Sequence, residues 1–161
     1  MNPGSLEALR GQLEQAPSPR RYVMLADELR SAGRVRESIE ILREGVGRFP
    51  RALSPKIALG KALYSAGDHG EALEVLQEVL RADPENIVAL QCLARVHEAR
   101  EQPAQALLIY RQLRSWLISD AELEAKIAAL EQHGGPERTP KARKIERLKA
   151  FRARIERARS L

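Results

Sequence analysis

A repeat with a constant period of about 34 residues constrains the fold of this chain more than any other feature. Two segments, residues 22–50 and 56–84, align without a gap, and both end at a proline. Within them, Gly33 and Gly67 are the equivalent turn glycines and mark one period. A third copy at the same offset begins near Ile87, but it lacks the turn glycine and the closing proline. A period of this length indicates an array of small stacked units rather than a single closed globule.

Each copy has two helical patterns separated by a turn, as the second copy illustrates. Ser54 and Pro55 predict an N-cap and a first-turn proline, and Gly67 predicts the end of the first helix. Asp68 is the predicted cap of the second helix, whose apolar residues recur at helical spacing: Ala72, Leu73, Leu76, Val79 and Leu80. A helix pair this short cannot bury its own apolar face, so we expect neighbouring pairs to stack.

Residues at fixed places in the repeat resemble those of the tetratricopeptide repeat family. Small residues stand where that family packs its helices closely, and large residues stand beside them. The small ones are Ala26, Gly60, Ala94, Ser38, Ala72 and Ala106, and the large ones are Leu25, Leu59, Leu93, Leu42, Leu76 and Tyr110. The resemblance covers residues 19 to about 118, although Tyr22, Lys56 and Leu90 replace the usual tryptophan.

The resemblance implies an all-α fold, a right-handed superhelical solenoid of about three helix-turn-helix repeats with a capping helix at each end. The predicted domains are an N-terminal capping helix in 1–18, a repeat domain in 19–134, and a linker with a basic amphipathic helix in 135–161. Within the repeat domain, the repeats are about 19–52, 53–86 and 87–120, and a capping helix occupies 121–133. Terminal elements of this kind keep a solenoid soluble.

The formal net charge of +5 is unevenly distributed along the chain. Residues 135–161 contain ten basic and three acidic residues, so the part before them carries a small net negative charge. An argument for nucleic acid or anionic lipid therefore concerns this terminal segment alone. No apolar run reaches the roughly 20 residues that span a bilayer, and the first 15 residues lack the apolar stretch of a signal peptide. With one cysteine, we expect a cytoplasmic protein.

The sequence has no pattern of residues that is typical of an active site. His69, His97 and His133 are far apart, and Cys92 is the single cysteine, so we expect neither a metal nor a cofactor. Cys92 and His97 are five residues apart on a predicted helix and point to different faces. We interpret Cys92 as a packing or groove-lining residue and predict that the chain is not an enzyme.

In the tetratricopeptide repeat family, the ligand lies along the concave surface of the first helices. The positions that this resemblance implies here are Arg20, Val23, Met24, Asp27, Arg30, Ser54, Ile57, Ala58, Lys61, Tyr64, Val88, Gln91, Cys92, Arg95 and Glu98. Some chaperone adaptors of the family hold a C-terminal carboxylate in a Lys/Asn/Arg clamp. Asp27 stands where that clamp needs asparagine, so a heat-shock chaperone tail is not the expected ligand.

The expected groove has an apolar floor of Val23, Met24, Ile57 and Ala58, flanked by Lys61 and Arg95. This surface suits an amphipathic helix or extended peptide with apolar anchors and an acidic residue. Met24, Ile57 and Tyr64 are the predicted anchors, and Lys61 and Arg95 steer the acidic residue.

The C-terminal segment forms a second candidate docking element. Its apolar residues fall within an arc of about 140° on a helical wheel, opposite a dense arginine face. The predicted docking residues are Ile145, Leu148, Phe151, Arg152 and Ile155. Three alternatives remain: packing on the same chain or on another copy, docking on an acidic partner protein, or contact with anionic lipid or nucleic acid.

The sequence thus predicts an adaptor or scaffold that binds a partner protein in the concave groove, with the C-terminal helix as a second docking or oligomerisation element. The alternative is a membrane-surface or nucleic-acid-associated factor that acts through the basic C-terminal helix.

Overall fold

The computed structural model describes residues 3–117 and 120–134, which form eight α-helices and no strand. The helices are α1 Pro3–Gln15, α2 Pro19–Ser31, α3 Val35–Arg48, α4 Leu53–Ala66, α5 His69–Ala82, α6 Ile87–Ala99, α7 Pro103–Arg114 and α8 Ala121–Gly134. The predicted all-helical repeat fold is confirmed. The predicted basic helix in 135–161 lies outside the described residues.

The helix boundaries follow the period of the sequence. The first helices α2, α4 and α6 begin at residues 19, 53 and 87, and the second helices α3, α5 and α7 begin at residues 35, 69 and 103. Both series advance by the same step, and α8, which begins at residue 121, continues the first series. The period therefore sets where each helix begins, even in the third copy, where the turn glycine is missing.

The chain divides into two compact units, one up to Ile109 and one from Tyr110, with the boundary inside α7. In the first unit, α2 packs on α3 and α4 on α5, which makes two hairpins. Neighbouring hairpins stack through α3 on α4 and α5 on α6, while α1 covers α2. Stacking of this kind buries the apolar faces that an isolated hairpin would expose.

Small residues permit this close packing of helices, as the sequence predicts. All six predicted small positions are buried, and Ser38 donates a hydrogen bond of 2.8 Å from Oγ to the carbonyl of Ala26. At Gly60, a Cβ atom would lie 2.7 Å from Cγ of Leu76 on the neighbouring helix α5. At Gly45, a Cβ atom would lie 2.8 Å from Cγ of Tyr22. These two positions have no room for a larger side chain unless the neighbour shifts.

Each turn between a first and a second helix contains one residue with a positive φ angle. Gly33 and Gly67 take this conformation at φ of 75° and 87°. Glu101, at the equivalent place in the third repeat, takes it at φ of 56° although it has a side chain. The left-handed region costs a residue with a Cβ atom roughly 1–2 kcal/mol, so the third turn is the strained one.

The helix N-termini differ from the prediction in the second repeat. Ser18 caps α2 as its sequence suggests, accepting a hydrogen bond from the backbone N–H of Arg21. The predicted cap at Ser54 is wrong, because α4 begins at Leu53 and Ala52 holds the cap position with an extended backbone. Asp68 holds the cap position of α5, but its carboxylate makes no capping bond. The first turns of α4 and α5 therefore lack a side-chain acceptor.

In the unit from Tyr110, helix α8 and the end of α7 form their own small set of contacts. Tyr110, Leu113, Leu123 and Ile127 are buried. Two ion pairs bridge the helices, Arg111–Glu131 at 2.6 Å and Arg114–Glu124 at 3.8 Å. No helix in the described part of the chain has the length and apolar character needed to cross a membrane.

Candidate functional site

The first helices α2, α4 and α6 place residues from three successive repeats beside one another. Helix α2 packs on α4, and α4 packs on α6. Because these helices begin one period apart, residues separated by one period occupy equivalent places on them. Asp27, Lys61 and Arg95 form one such series, and Arg30, Tyr64 and Glu98 form another one turn further along.

The predicted groove residues fall into three groups according to their burial. The exposed ones are Arg20, Met24, Asp27, Arg30, Ser54, Lys61, Val88, Gln91 and Arg95. The half-buried ones are Val23, Ile57, Tyr64, Cys92 and Glu98, and Ala58 alone among them is buried.

Some residues of the predicted apolar floor pack in the core, and others lie at the surface. Val23 and Ile57 pack against the main core cluster, and Ala58 is 8% exposed. Met24 is 43% exposed and is the largest apolar surface among these four residues. Met24 is therefore the strongest candidate for an apolar anchor, because its flexible thioether adapts to an incoming side chain.

The basic side of the groove surrounds a cavity of about 270 Å³. We call it the basic cavity; its lining residues are Arg30, Lys61, Tyr64, Ser65, Cys92 and Arg95. Each of the three first helices supplies at least one of them, and none of the six has a carboxylate. Ser65 is not among the predicted groove residues, although its place directly after Tyr64 on the same helix could have indicated it.

An aromatic stack holds one cation of the basic cavity in place. The guanidinium of Arg95 lies over the Tyr64 ring, 5.3 Å from its centroid. The His69 ring contacts Tyr64 at a centroid distance of 5.4 Å and a tilt of 45°. A cation over an aromatic face gains roughly 0.5–1 kcal/mol at an exposed site, so Tyr64 restricts Arg95 before any ligand binds.

One acidic residue beside the basic cavity pairs with one of its cations. Asp27 Oδ1 lies 3.4 Å from Nη2 of Arg30, with both side chains exposed. The lining itself has three cations and no carboxylate. Such a set of lining residues favours an acidic ligand.

Cys92 lines the basic cavity. Burial raises the pKa of the Cys92 thiol, while the charges of Lys61 and Arg95 act in the opposite direction. A nucleophilic cysteine requires a lowered pKa, so this environment does not suit catalysis. His97 is engaged elsewhere, with its Nδ1 atom 2.8 Å from Oε1 of Gln102. Within the described ranges, no group of three or more His, Cys, Asp or Glu side chains could hold a metal ion.

The predicted docking residues of the C-terminal segment lie outside the described residues. They are Ile145, Leu148, Phe151, Arg152 and Ile155. Of the two predicted docking elements, the groove with its basic cavity is therefore the one whose geometry the structure describes.

Comparison with known proteins places this architecture in a family. Two family models, both described as tetratricopeptide repeat, match residues 23–87 and residues 63–130. A curated relative, tetratricopeptide repeat protein 8 of Caenorhabditis elegans, is 22% identical over 115 residues. The alignment covers 71% of this chain but 23% of that protein, so the chain spans about a quarter of its length.

Solved structures of three proteins share the same fold. MamA 41-end from Desulfovibrio magneticus RS-1 superposes with a TM-score of 0.73 at 13% identity, covering 96% of this chain and 85% of that one. TTC0263, a thermophilic TPR protein of Thermus thermophilus, gives 0.67 at 23% identity, covering 81% and 73%. YrrB, described as a TPR protein with an unusual peptide-binding site, gives 0.69 at 20% identity, covering 81% and 68%. The repeat period, the stacked hairpins and the two matching family models together show that this chain belongs to the tetratricopeptide repeat family.

Proposed function

We propose that this chain is an adaptor that binds a peptide or an amphipathic helix of a partner protein along α2, α4 and α6. The bound segment places an apolar residue against Met24 and an acidic residue in the basic cavity. Tetratricopeptide repeats generally serve as scaffolds for protein–protein interaction. The finer proposal concerns which surface binds and what chemistry the partner needs.

The observation that carries the proposal is the one-sided charge of the basic cavity. Arg30, Lys61 and Arg95 line it together, and its lining includes no carboxylate. Some arginine and lysine side chains elsewhere on the surface pair with carboxylates, for example Arg43 with Glu71 and Lys56 with Glu78. An acidic group on a partner would supply the missing counter-charge, and the half-buried Tyr64 and Cys92 would exclude water around it.

Peptide binding by a protein of the same fold supports this choice of ligand. YrrB has a described peptide-binding site and shares the fold at 20% identity. Met24 and the exposed Val88, 42% accessible, provide apolar contacts nearer the N-terminal ends of their helices. A ligand that combines apolar anchors with an acidic residue matches both parts of the groove.

The proposal includes three further elements. The chain acts without catalysis, and burial raises the pKa of the Cys92 thiol, which does not favour the nucleophilic thiolate. It acts in the cytoplasm, where a single free cysteine is ordinary. Residues 135–161 provide a second docking or oligomerisation element, since their apolar residues share one face of a predicted helix.

The test is a selection of random 16-residue peptides, displayed on phage, against the full chain. We expect enriched peptides to carry Asp or Glu next to apolar residues and to bind with a Kd near the micromolar range, roughly −8 kcal/mol. Fluorescence anisotropy then measures the same peptides on the double variant Lys61→Glu and Arg95→Glu. The reversed charges repel the acidic residue, so affinity should fall by more than about tenfold.

The matched control reverses two exposed arginines on the second helices, Arg36→Glu and Arg81→Glu. This variant has the same change in net charge but leaves the basic cavity intact, so peptide affinity should change by less than about threefold. Enriched peptides without acidic residues, or equal losses in the two double variants, would contradict the proposed site.

A further inference from the structure

Two cavities of the first unit differ in their charge balance. A cavity of about 420 Å³ at α1, α2 and α3 is lined by two arginines and two glutamates, Arg10, Arg48, Glu14 and Glu44, so its charges cancel. The basic cavity is lined by three cations and no anion. Holding like charges together in one cavity costs free energy, and a counter-ion recovers that cost.

A count of charges defines the ligand that would balance the basic cavity. Asp27 pairs with Arg30 at 3.4 Å and offsets that cation. Lys61 and Arg95 are the other two cations of the lining, which they share with Cys92 and which includes no carboxylate. Within the lining, these two cations therefore have no carboxylate to balance them. A single carboxylate neutralises one of them, whereas a phosphoryl group carries about −1.5 to −2 at neutral pH.

The cavity also has the donors and the rigidity that a tetrahedral oxyanion requires. The guanidinium of Arg95 is oriented over the Tyr64 ring at 5.3 Å, and guanidinium groups bind phosphate oxygens through two parallel N–H bonds. The single hydroxyl hydrogen of Ser65 is donated to the carbonyl of Lys61 at 3.0 Å, so the donors available to an oxyanion are those of Lys61 and Arg95. Positioned donors lose less conformational entropy when they bind than mobile ones do.

We propose that the basic cavity binds the phosphoryl group of a phosphorylated side chain in the partner peptide. Lys61 and Arg95 neutralise the two charges, and Tyr64 is a positioning residue that holds Arg95. This inference rests on the proposed function for the peptide that carries the group, and it adds the chemical class of the anchoring residue. Phosphorylation of the partner then controls capture by the groove, because the unmodified hydroxyl leaves the two cations unbalanced.

The first test compares a dianion with a monoanion of similar size. Phenyl phosphate and benzoate are titrated into the ¹⁵N-labelled full chain at constant ionic strength, and the backbone amides of Lys61, Tyr64 and Arg95 are followed by NMR. We expect phenyl phosphate to shift these amides and to bind at least about fivefold more tightly than benzoate. Equal affinities, or shifts spread over exposed arginines of the second helices, would show that the cavity is not a phosphoryl site.

The second test asks whether a peptide supplies the group. Three random peptide libraries, with phosphoserine, serine or glutamate at a fixed central position, are passed over the immobilised full chain. Preferential retention of the phosphoserine library supports the inference. Equal retention of the glutamate library overturns it, while leaving the proposed adaptor function intact. Binding of phenyl phosphate without retention of any library would instead contradict the peptide function and indicate a small phosphorylated ligand.

Variants assign the roles within the cavity. Lys61→Gln and Arg95→Gln should each weaken phenyl phosphate binding about tenfold, since each removes a charged hydrogen-bond donor. Tyr64→Phe should retain the affinity, because its ring still supports Arg95, whereas Tyr64→Ala should lose part of it without loss of helix content by circular dichroism. Arg81→Gln, on the second helix α5, is the matched control and should bind normally. If Arg81→Gln weakened binding equally, the effect would come from the net charge of the protein, and the proposed site would be wrong.

Discussion

The second and third repeats begin their helices at equivalent positions but have different residues at three equivalent places. Helices α4 and α6 begin one period apart, as do α5 and α7. The differences lie at the N-cap, at a close-packing point and at the turn, in the pairs Ala52 and Asn86, Gly60 and Ala94, and Gly67 and Glu101. The periodic apolar pattern therefore fixes where the helices begin. The residues that cap a helix, allow close packing or form a turn differ from one repeat to the next.

Each of these two repeats has one stabilising local feature that the other lacks: a side-chain N-cap in the third repeat and a turn glycine in the second. Asn86 Oδ1 accepts a hydrogen bond of 3.0 Å from the N–H of Ala89, whereas Ala52 offers no side-chain acceptor to α4. Gly67 takes its positive φ without a Cβ penalty, whereas Glu101 adopts the same region with one. Exchanging residues between the repeats therefore tests whether these local differences contribute to stability as their geometry indicates.

The largest effect is expected where the second repeat receives a larger residue at its close-packing point. Gly60→Ala places a Cβ atom 2.7 Å from Leu76 Cγ, so Leu76 must move. We expect a loss of about 1 kcal/mol for Gly60→Ala, despite the better helix propensity of alanine, and about 3 kcal/mol for Gly60→Val. Urea unfolding of the full chain, followed by circular dichroism at 222 nm, measures both.

A matched control is available on another helix. Gly47 is also inside a helix, α3, but a Cβ atom there meets nothing within 4 Å. Gly47→Ala should therefore stabilise the protein by about 1 kcal/mol through helix propensity alone. If both alanine substitutions changed the free energy of unfolding in the same direction, the close contact at Gly60 would not be decisive.

An intermediate effect is expected from the N-caps. Asn86→Ala removes the side-chain acceptor at the start of α6 and should cost about 1 kcal/mol of unfolding free energy. Ala52→Asn transfers that cap to α4, whose cap residue already has an extended backbone, and should add up to about 1 kcal/mol. The same urea titration measures both substitutions, and their changes in the free energy of unfolding must have opposite signs. A loss from both substitutions would mean that the two caps are not equivalent.

The smallest effect is expected at the turn of the third repeat. Glu101→Gly relieves the left-handed strain but gives the unfolded chain more freedom, so we expect a net gain of about 0.5 kcal/mol. Gly67→Ala, the reverse exchange, should instead destabilise by about 1 kcal/mol, because alanine must adopt a φ of 87°. Thermal unfolding distinguishes the two substitutions, because Glu101→Gly should raise the melting temperature and Gly67→Ala should lower it. If Glu101→Gly destabilised the protein, strain at Glu101 would not be what distinguishes the two turns.

The sequence predicted structural features best at positions that recur in every repeat. It predicted them least well where a feature depends on one side chain, such as a helix cap. The series Ala26, Gly60 and Ala94 predicted close packing in all three repeats, and all three residues are buried. The cap at Ser54 was placed wrongly by two residues, because a sequence pattern does not fix a helix boundary more closely than one or two residues. For the groove, the first helices and their equivalent positions followed from the resemblance.

The sequence could not separate groove residues that face a ligand from those that face the core. Val23 and Met24 are adjacent, yet Val23 packs on the core cluster while Met24 is 43% exposed. The stack of Arg95 on Tyr64 joins two different repeats, so its existence depends on how closely α4 and α6 approach. Neither fact follows from helical spacing within one repeat.

Helical hairpins of constant period follow from the amino-acid sequence alone, because apolar spacing and turn residues act locally and recur. The stacking of the helices is what brings Arg30, Lys61 and Arg95 to one cavity without a carboxylate among its lining residues. Charges that belong to three different repeats meet only after the helices have stacked. The balance of charge in a cavity is therefore a property of the packing and not of any single repeat.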